Sequence, residues 1–333
     1  MSVTIIDVAK QANTSKSTAS RVLAGDTYGV SETAKKAVLS AAKEMGYVKN
    51  SLAKSLRTTR SMTMLLIIPD ITNSFWSEVA RGAQDILDKA GYNLILANSD
   101  WQAGRELRYL GMARSFMVDA VLINAPGIDI EKLEELSCPI VVLGDRTDII
   151  PYPLVGTDTY HAIKDALAFC YDRGHQRIAM VHPHGADGEG MSRIRYQAYK
   201  DFHMEKGLPF DESLISYAPL TVESGIEGAD LFLARKGKPT AILTGNDLVA
   251  IGLLQAFQSK GISVPEDVSL IGMDDIPAAN MVVPRITTVQ KPQRQIGMTA
   301  ARLALDLVDG KEVAKRTLLP AKIVERETVR RLS

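Results

Sequence analysis

From Met62 onward the apolar residues fall in short continuous blocks: MLLIIP, YNLILAN, DAVLIN, PIVVLG, RIAMVH, TAILTG and DVSLIGM. Between most of them lie stretches with helical periodicity, predicting helices over 78–90, 161–173 and 248–261. Blocks apolar at every position, rather than at every second one, suit strands buried on both faces. Their alternation with helices predicts an α/β body of parallel sheets. About 270 residues of this pattern exceed one comfortable core, so two subdomains are expected.

The first 46 residues read differently, as three short helices. Thr4 and Asp7 have a capping-box-like spacing ahead of Ile5, Val8 and Ala9. Asn13 lies in a tight break, since Asn tolerates the left-handed conformation. Ser15 can cap a second helix running to about Leu23. Ser31 can cap a third with Ala34, Val38, Ala41, Ala42 and Met45 on its buried face and Gly46 as its stop. Two helices joined by a tight turn, with a third behind them, form the helix-turn-helix layout. Residues 47–60 are polar and basic, with only Leu52, Ala53 and Leu56 as an apolar stripe. This predicts a linker that is helical only conditionally.

Composition narrows the class. With 46% hydrophobic and 23% charged residues in 333, the chain can bury a sizeable core. No apolar run reaches the roughly 18 residues of a membrane span, and no apolar signal segment opens the chain. Cys138 and Cys170 are too few for a disulfide framework, so a cytoplasmic setting is expected. The net charge of zero hides an asymmetry. Residues 1–60 hold ten Lys and Arg against four Asp and Glu, a net of +6; the remainder, 29 against 35, carries −6. A basic head on an acidic body points to a polyanion partner for the head alone.

Ligands of open parallel sheets bind beyond the carboxyl ends of the strands. The polar and aromatic residues just after the apolar blocks are Asp70, Phe75 and Trp76; Asn98 and Asp100; Asn124; Asp145; His182, with Arg193 and Arg195; Asn246 and Asp247; Asp274 and Asp275. Planar polar groups beside aromatic plates suit a sugar-like polyol. For any single Asp or Asn, a helix cap or turn is an equal alternative.

Catalytic and cofactor signals are weak. No GxGxxG follows a strand, and there is no P-loop. The run 185–190 has glycines at the wrong spacing, and His182, His184 and Asp187 make a poor metal set. No metal and no cofactor are expected. His175 reads as structural, the two cysteines as core residues. On the second helix Lys16, Ser17 and Arg21 form a basic polar side suited to base edges and phosphates. Three classes remain: a ligand-controlled DNA-binding regulator, a sugar receptor without a DNA role, and a sugar-modifying enzyme. The basic helical head disfavours the second. The lack of a nucleophile, metal cluster or phosphate loop disfavours the third.

The run TIIDVAKQANTSKSTASRVLAG resembles the signature of the lactose-repressor and galactose-repressor (LacI/GalR) family of bacterial transcription regulators. The likeness continues in order through VSETAKKAV, GYVKNSLAKSLR, IPDITNSFWSEVARG, RGHQRIAMV, GNDLVAIG, IGMDD and RITTV. It implies a helix-turn-helix head over 1–46, a hinge helix over 47–60 and a periplasmic-binding-protein-like body over 61–333. Within the body it implies an N-subdomain of about 61–160 and 290–320 and a C-subdomain of about 161–289 and 321–333. It further implies a homodimer on a palindromic operator in double-stranded DNA, usually repressing and controlled by a small effector, most often a sugar. Lys16, Ser17 and Arg21 fall at base-reading positions, and Leu56 at a minor-groove wedge with Ala53 beside it. Thr4, Ser15, Thr18, Ser20 and Asn50 complete the implied DNA-facing set. Phe75, Trp76, Asn124, Asp145, Arg195, Asn246 and Asp274 fall at positions that usually touch effector. Leu220 stands where many members carry another aromatic plate.

Overall fold

The computed structural model describes residues 3–47, 60–124, 130–144, 150–183, 191–234 and 237–332. The chain divides into two compact units, Met1–Ser61 and Met62–Ser333. The hinge stretch 48–59, with Asn50, Ala53 and Leu56, lies outside the described residues, as do Asp145, His184 and Asp187.

The first unit holds α1 (Ile5–Gln11), α2 (Lys16–Ala24) and α3 (Glu32–Glu44). All three have a side-chain cap. Thr4 and Asp7 cap reciprocally, Ser15 accepts from the Thr18 amide at 3.0 Å, and Ser31 accepts from the Ala34 amide at 3.2 Å. Each such cap stabilises its helix by roughly 1 kcal/mol, which matters in helices of 7 to 13 residues. Asn13 turns the chain between α1 and α2 at φ 49°. Val8, Ala9, Ala19, Val22, Val38, Ala41 and Ala42 close one small core.

In the second unit, six strands form a sheet in the order β11-β5-β4-β3-β1-β2, and six more form another in the order β12-β10-β9-β8-β6-β7. The first comprises β1 (Thr63–Ile68), β2 (Asn93–Asn98), β3 (Ala120–Ile123), β4 (Ile140–Leu143), β5 (Leu154–Thr157) and β11 (Arg316–Leu319). It is parallel throughout, with Leu65 opposite Ile95 on one side and Val121 on the other. The second comprises β6 (Ile178–Pro183), β7 (Ile215–Ala218), β8 (Ala241–Leu243), β9 (Ser269–Asp274), β10 (Thr287–Gln290) and β12 (Lys322–Val324). It is parallel except that β12 runs antiparallel to β10.

The α-helices between these strands come in the order the alternation predicts. Among the first sheet's strands lie α4 (Ser74–Leu87), α5 (Ala103–Ser115) and α6 (Ile130–Glu134). Then come α7 (Thr159–Tyr171), α8 (Met191–Glu205), α9 (Val222–Leu233), α10 (Asp247–Ser259) and α11 (Gln293–Val308), with short 3-10 turns between some of the elements. Helices α4 and α7 begin two to four residues earlier than periodicity predicts, because Asn73 and Asp158 cap them. Helix α4 packs on α11, and α9 packs on α10. Both approaches need glycine: a Cβ on Gly297 would sit 1.9 Å from the Val79 carbonyl oxygen, and one on Gly252 2.0 Å from that of Val222. The chain passes between the sheets three times, at 157–159, 290–293 and 319–322.

Glu106 of α5 is fully buried. Ser99 donates to one of its oxygens at 3.3 Å, while the other has no partner. Burial pushes its carboxyl up to about 6. A raised folded-state value favours the protonated form, so its contribution is present at low pH and is lost as pH rises through 6. Glu106→Gln should therefore raise unfolding free energy by about 1–2 kcal/mol near about pH 8 and by almost nothing near about pH 4. Urea unfolding at both pH values checks this; an equal gain at both would show that ionisation is not the cause.

Candidate functional site

The second unit holds a cleft beyond the carboxyl ends of strands from both sheets, enclosing about 790 Å³ with its open mouth included. The first sheet contributes Asp70 after β1, Trp101 after β2, Asn124 after β3, Leu143 and Gly144 at β4, and Gly156 and Thr157 at β5. The second contributes Leu220 after β7, Gly245 and Asn246 after β8, Asp274 at the end of β9 and Lys291 after β10, with Arg195 from α8.

Six of the seven effector candidates thus share one cleft: Phe75, Trp76, Asn124, Arg195, Asn246 and Asp274. Phe75 and Trp76 meet edge to face, ring centres 4.9 Å apart. Asn73 holds them there by accepting the Phe75 amide at 3.0 Å as the cap of α4. Asn124 donates to the Leu143 carbonyl at 2.7 Å, and its Oδ1 is buried with no partner among the described residues. Thr157 Oγ1, in the same cleft, is likewise buried and unpartnered. An unsatisfied buried polar atom costs about 1–3 kcal/mol, so both groups favour a ligand that hydrogen-bonds to them.

Arg195 is 6% exposed and donates through Nη1 to the Gly245 carbonyl at 2.7 Å. Burial holds its guanidinium below the usual range, with the Asp274 carboxylate opposing that effect. Asp274 ends β9 at φ 111°, a costly conformation for a residue with a Cβ. Its Oδ1 lies 2.9 Å from Lys291 Nζ. Asn246 is committed elsewhere: its Oδ1 caps α10 through the Val249 amide, and its Nδ2 donates to the Leu220 carbonyl, both at 3.0 Å. It lines the cleft with one amide hydrogen and one oxygen lone pair used in these two bonds. Leu220 makes that wall aliphatic.

Other polar residues after strands stand outside the cleft lining. Asn98 accepts the Ile71 amide and donates to Asp100, stapling two loops. Asp275 pairs with Arg326 at 2.6 Å. His182 is buried against Tyr217, and Arg193 is exposed. Asp247 is buried, accepting from the Ile276 amide at 2.8 Å and the Thr288 hydroxyl at 2.5 Å. His175, fully buried, bonds to Thr240 and the Arg330 carbonyl, both at 3.0 Å. Among the described residues no group of three His, Cys, Asp or Glu could hold a metal ion, and no helix is long and apolar enough to cross a membrane.

Sequence reasoning missed Lys291, Thr157 and Trp101. The first two lie after β10 (TTVQ) and at the end of β5 (LVGT), four-residue strands too rich in Thr and Gly to stand out as apolar blocks. Trp101 directly follows Asp100 at φ 59° and is 39% exposed.

In the first unit, Thr4, Ser15, Lys16 and Ser17 are exposed, and Thr18, Ser20 and Arg21 are half-buried. The hydroxyls of Thr4 and Ser15 serve as caps. Arg21 is not a freely solvated side chain. Its Nε lies 3.2 Å from Asp26, and its Nη2 donates to the Tyr28 carbonyl, which draws the guanidinium toward the loop after α2. Arg21 in turn holds the Asp26 carboxyl below its usual range.

Two family models match. Residues 4–50 match bacterial regulatory proteins of the lacI family, and residues 167–329 match the periplasmic binding protein-like domain. Catabolite control protein A of Priestia megaterium is 35% identical, the match covering 99% of this chain and all of that one. A LacI family transcriptional regulator from Enterococcus faecium, solved with bound ribose, superposes with a TM-score of 0.73 at 27% identity, covering 81% of this chain and all of that one. The lac repressor dimer bound to operator and an anti-inducer shares the fold, with a TM-score of 0.86 at 23% identity over 99% of this chain and all of that one. The helical head, the two-sheet body and a relative of this identity over nearly the whole length establish that the chain belongs to the lacI family of bacterial regulatory proteins.

Proposed function

We propose that the chain is a sequence-specific DNA-binding regulator, a repressor of a carbohydrate-utilisation operon, controlled by a small sugar-like effector in the cleft. It acts in the cytoplasm as a homodimer on a palindromic operator. The observation that carries the effector reading is the pair of buried atoms without a partner among the described residues, Asn124 Oδ1 and Thr157 Oγ1, in one cleft with the Phe75–Trp76 pair and the Arg195 guanidinium. A polyol offers hydroxyls to the first two, ring faces to the aromatics and vicinal oxygens to the arginine fork. The ribose-bound relative supports this class.

On the head, Lys16, Ser17 and Arg21 of α2 are the base-reading set, with Thr18 and Ser20 beside them and Thr4 and Ser15 at the helix N-termini they cap. Asn50, Ala53 and Leu56 are assigned to the hinge on sequence grounds. Exposed apolar residues support a self-association surface on the body: Leu96 on the edge strand β2, Leu107 on α5, and Phe116 and Met117 after it, with Met281 and Val283 in the second lobe.

Operator binding should be strongly salt-dependent. A dimer that neutralises roughly 6–10 phosphates loses about three to five orders of magnitude in affinity between roughly 50 and 200 mM salt. Fluorescence anisotropy on an operator selected from random duplexes measures the slope of log K against log salt. A flat slope would remove the electrostatic reading of the +6 head.

A further inference from the structure

We infer that the cleft selects an anionic effector: a polyol bearing a carboxylate or a phosphate, with Lys291 and Arg195 receiving the anion. This rests on the effector reading above and narrows it. Lys291 stands on a crossing between the sheets, with its side chain 10% exposed. Its ammonium lies 2.9 Å from Asp274 and 5.5 Å from the centre of the Phe75 ring. Arg195 lines the same space and, among the described residues, its guanidinium has one hydrogen bond, to the Gly245 carbonyl.

Among the described residues, the buried carboxylates that line the cleft are fewer than these two cations. Asp274 is the one carboxylate paired with Lys291 among the described residues. Asp70, the other acidic residue lining the cleft, is half-buried and turned onto its own loop, accepting from the Thr72 amide at 2.8 Å and hydroxyl at 2.6 Å. Asp247 lies behind the wall with both oxygens occupied. Burial, with the Asp274 carboxylate close to it, pushes its carboxyl up to about 8, and it stands outside the residues that line the cleft. Among the described residues that line the cleft, the buried charged groups are therefore two cations, Lys291 and Arg195, and one carboxylate, Asp274, with the Asp70 carboxylate half-buried.

Burial works against both cations, drawing the Lys291 ammonium and the Arg195 guanidinium below their ordinary ranges. A neutral sugar fills hydrogen bonds but leaves the excess charge unmatched. A carboxylate or phosphate matches it, the guanidinium offering a planar fork and the ammonium a point charge. Asn124 and Thr157 remain available to the hydroxyls of the same molecule.

The test titrates the full chain by calorimetry with three matched series: ribose, glucose and galactose; gluconate, glucuronate and galacturonate; ribose 5-phosphate and glucose 6-phosphate. At least one acid or phosphate should bind ten times or more tighter than its neutral parent, and the better series identifies which anion the cleft takes. Lys291→Gln should reduce that preference to threefold or less, and Lys291→Arg should retain most of it. If Lys291→Gln fails to fold, the wild-type ranking decides alone. Neutral sugars binding as tightly as their acids and phosphates would overturn the anionic inference and leave the polyol reading standing. So would an unchanged preference in Lys291→Gln. Silence in all three series would overturn both.

Discussion

Arg21→Ala is expected to weaken operator binding by about 1–3 kcal/mol per half-site, so that the dimer loses roughly one and a half to four orders of magnitude in affinity. The guanidinium is the one group of α2 that offers donors in a fixed planar fork, and bidentate geometry is what separates guanine from the other bases in the major groove. The structure adds a constraint. Arg21 is held by Asp26 and the Tyr28 carbonyl, so its free donors are presented in a fixed orientation instead of being sampled. Pre-ordering lowers the entropy lost on binding. The loss in Arg21→Ala should concentrate at one base position of each half-site. Lys36→Ala, on the exposed side of α3, should weaken all sequences alike. Competition among operator variants in anisotropy titrations separates the two patterns, and uniform weakening by Arg21→Ala would reassign it to phosphate.

Arg195→Ala is expected to raise the effector Kd by about 100-fold, near 3 kcal/mol, while changing operator affinity less than about threefold. The side chain is 6% exposed and, among the described residues, its one hydrogen bond is to the Gly245 carbonyl, so most of its donors are available to a ligand. Its place in the cleft is independent of the first unit's helices. Ligand can shift DNA binding only by favouring one of two body conformations. Deleting Arg195 removes that difference and leaves the DNA surface intact. Calorimetry gives the first number and operator titration the second; parental effector affinity in Arg195→Ala would displace the ligand from this part of the cleft.

Much of this architecture is legible in residue order. The Ile, Val and Leu blocks become β1 to β4, β6, β8 and β9; all but the edge strand β2 are buried along nearly their whole length, as apolar residues at every position require. Five strands are not legible. LVGT, ISYA, TTVQ, RTLL and KIV have three or four residues each, with Thr, Gly, Ser or Lys among them, and are strands because a neighbour pairs with them. The same shortness hides Thr157 and Lys291, which lie at or just after two of these strands. Asn246 shows the opposite limit. Its position after β8 reads equally as ligand contact or helix cap, and the cap geometry becomes visible only with the Val249 amide and Leu220 carbonyl in place. The tie from Arg21 to Asp26 depends on how the loop after α2 folds back, which local propensity does not encode.

If the cleft controls the operator, occupancy of one and binding of the other are coupled within one chain, and reciprocity is the sharpest check. Coupling is a property of the pair of sites, so the factor by which effector changes operator affinity must equal the factor by which operator changes effector affinity. The full chain is titrated with selected operator, with and without the best ligand of the three series, and then with that ligand, with and without operator. The expected result is the same factor in both directions, of about fivefold or more. A ligand that fills the cleft and leaves operator affinity unchanged would contradict control of the operator by the cleft.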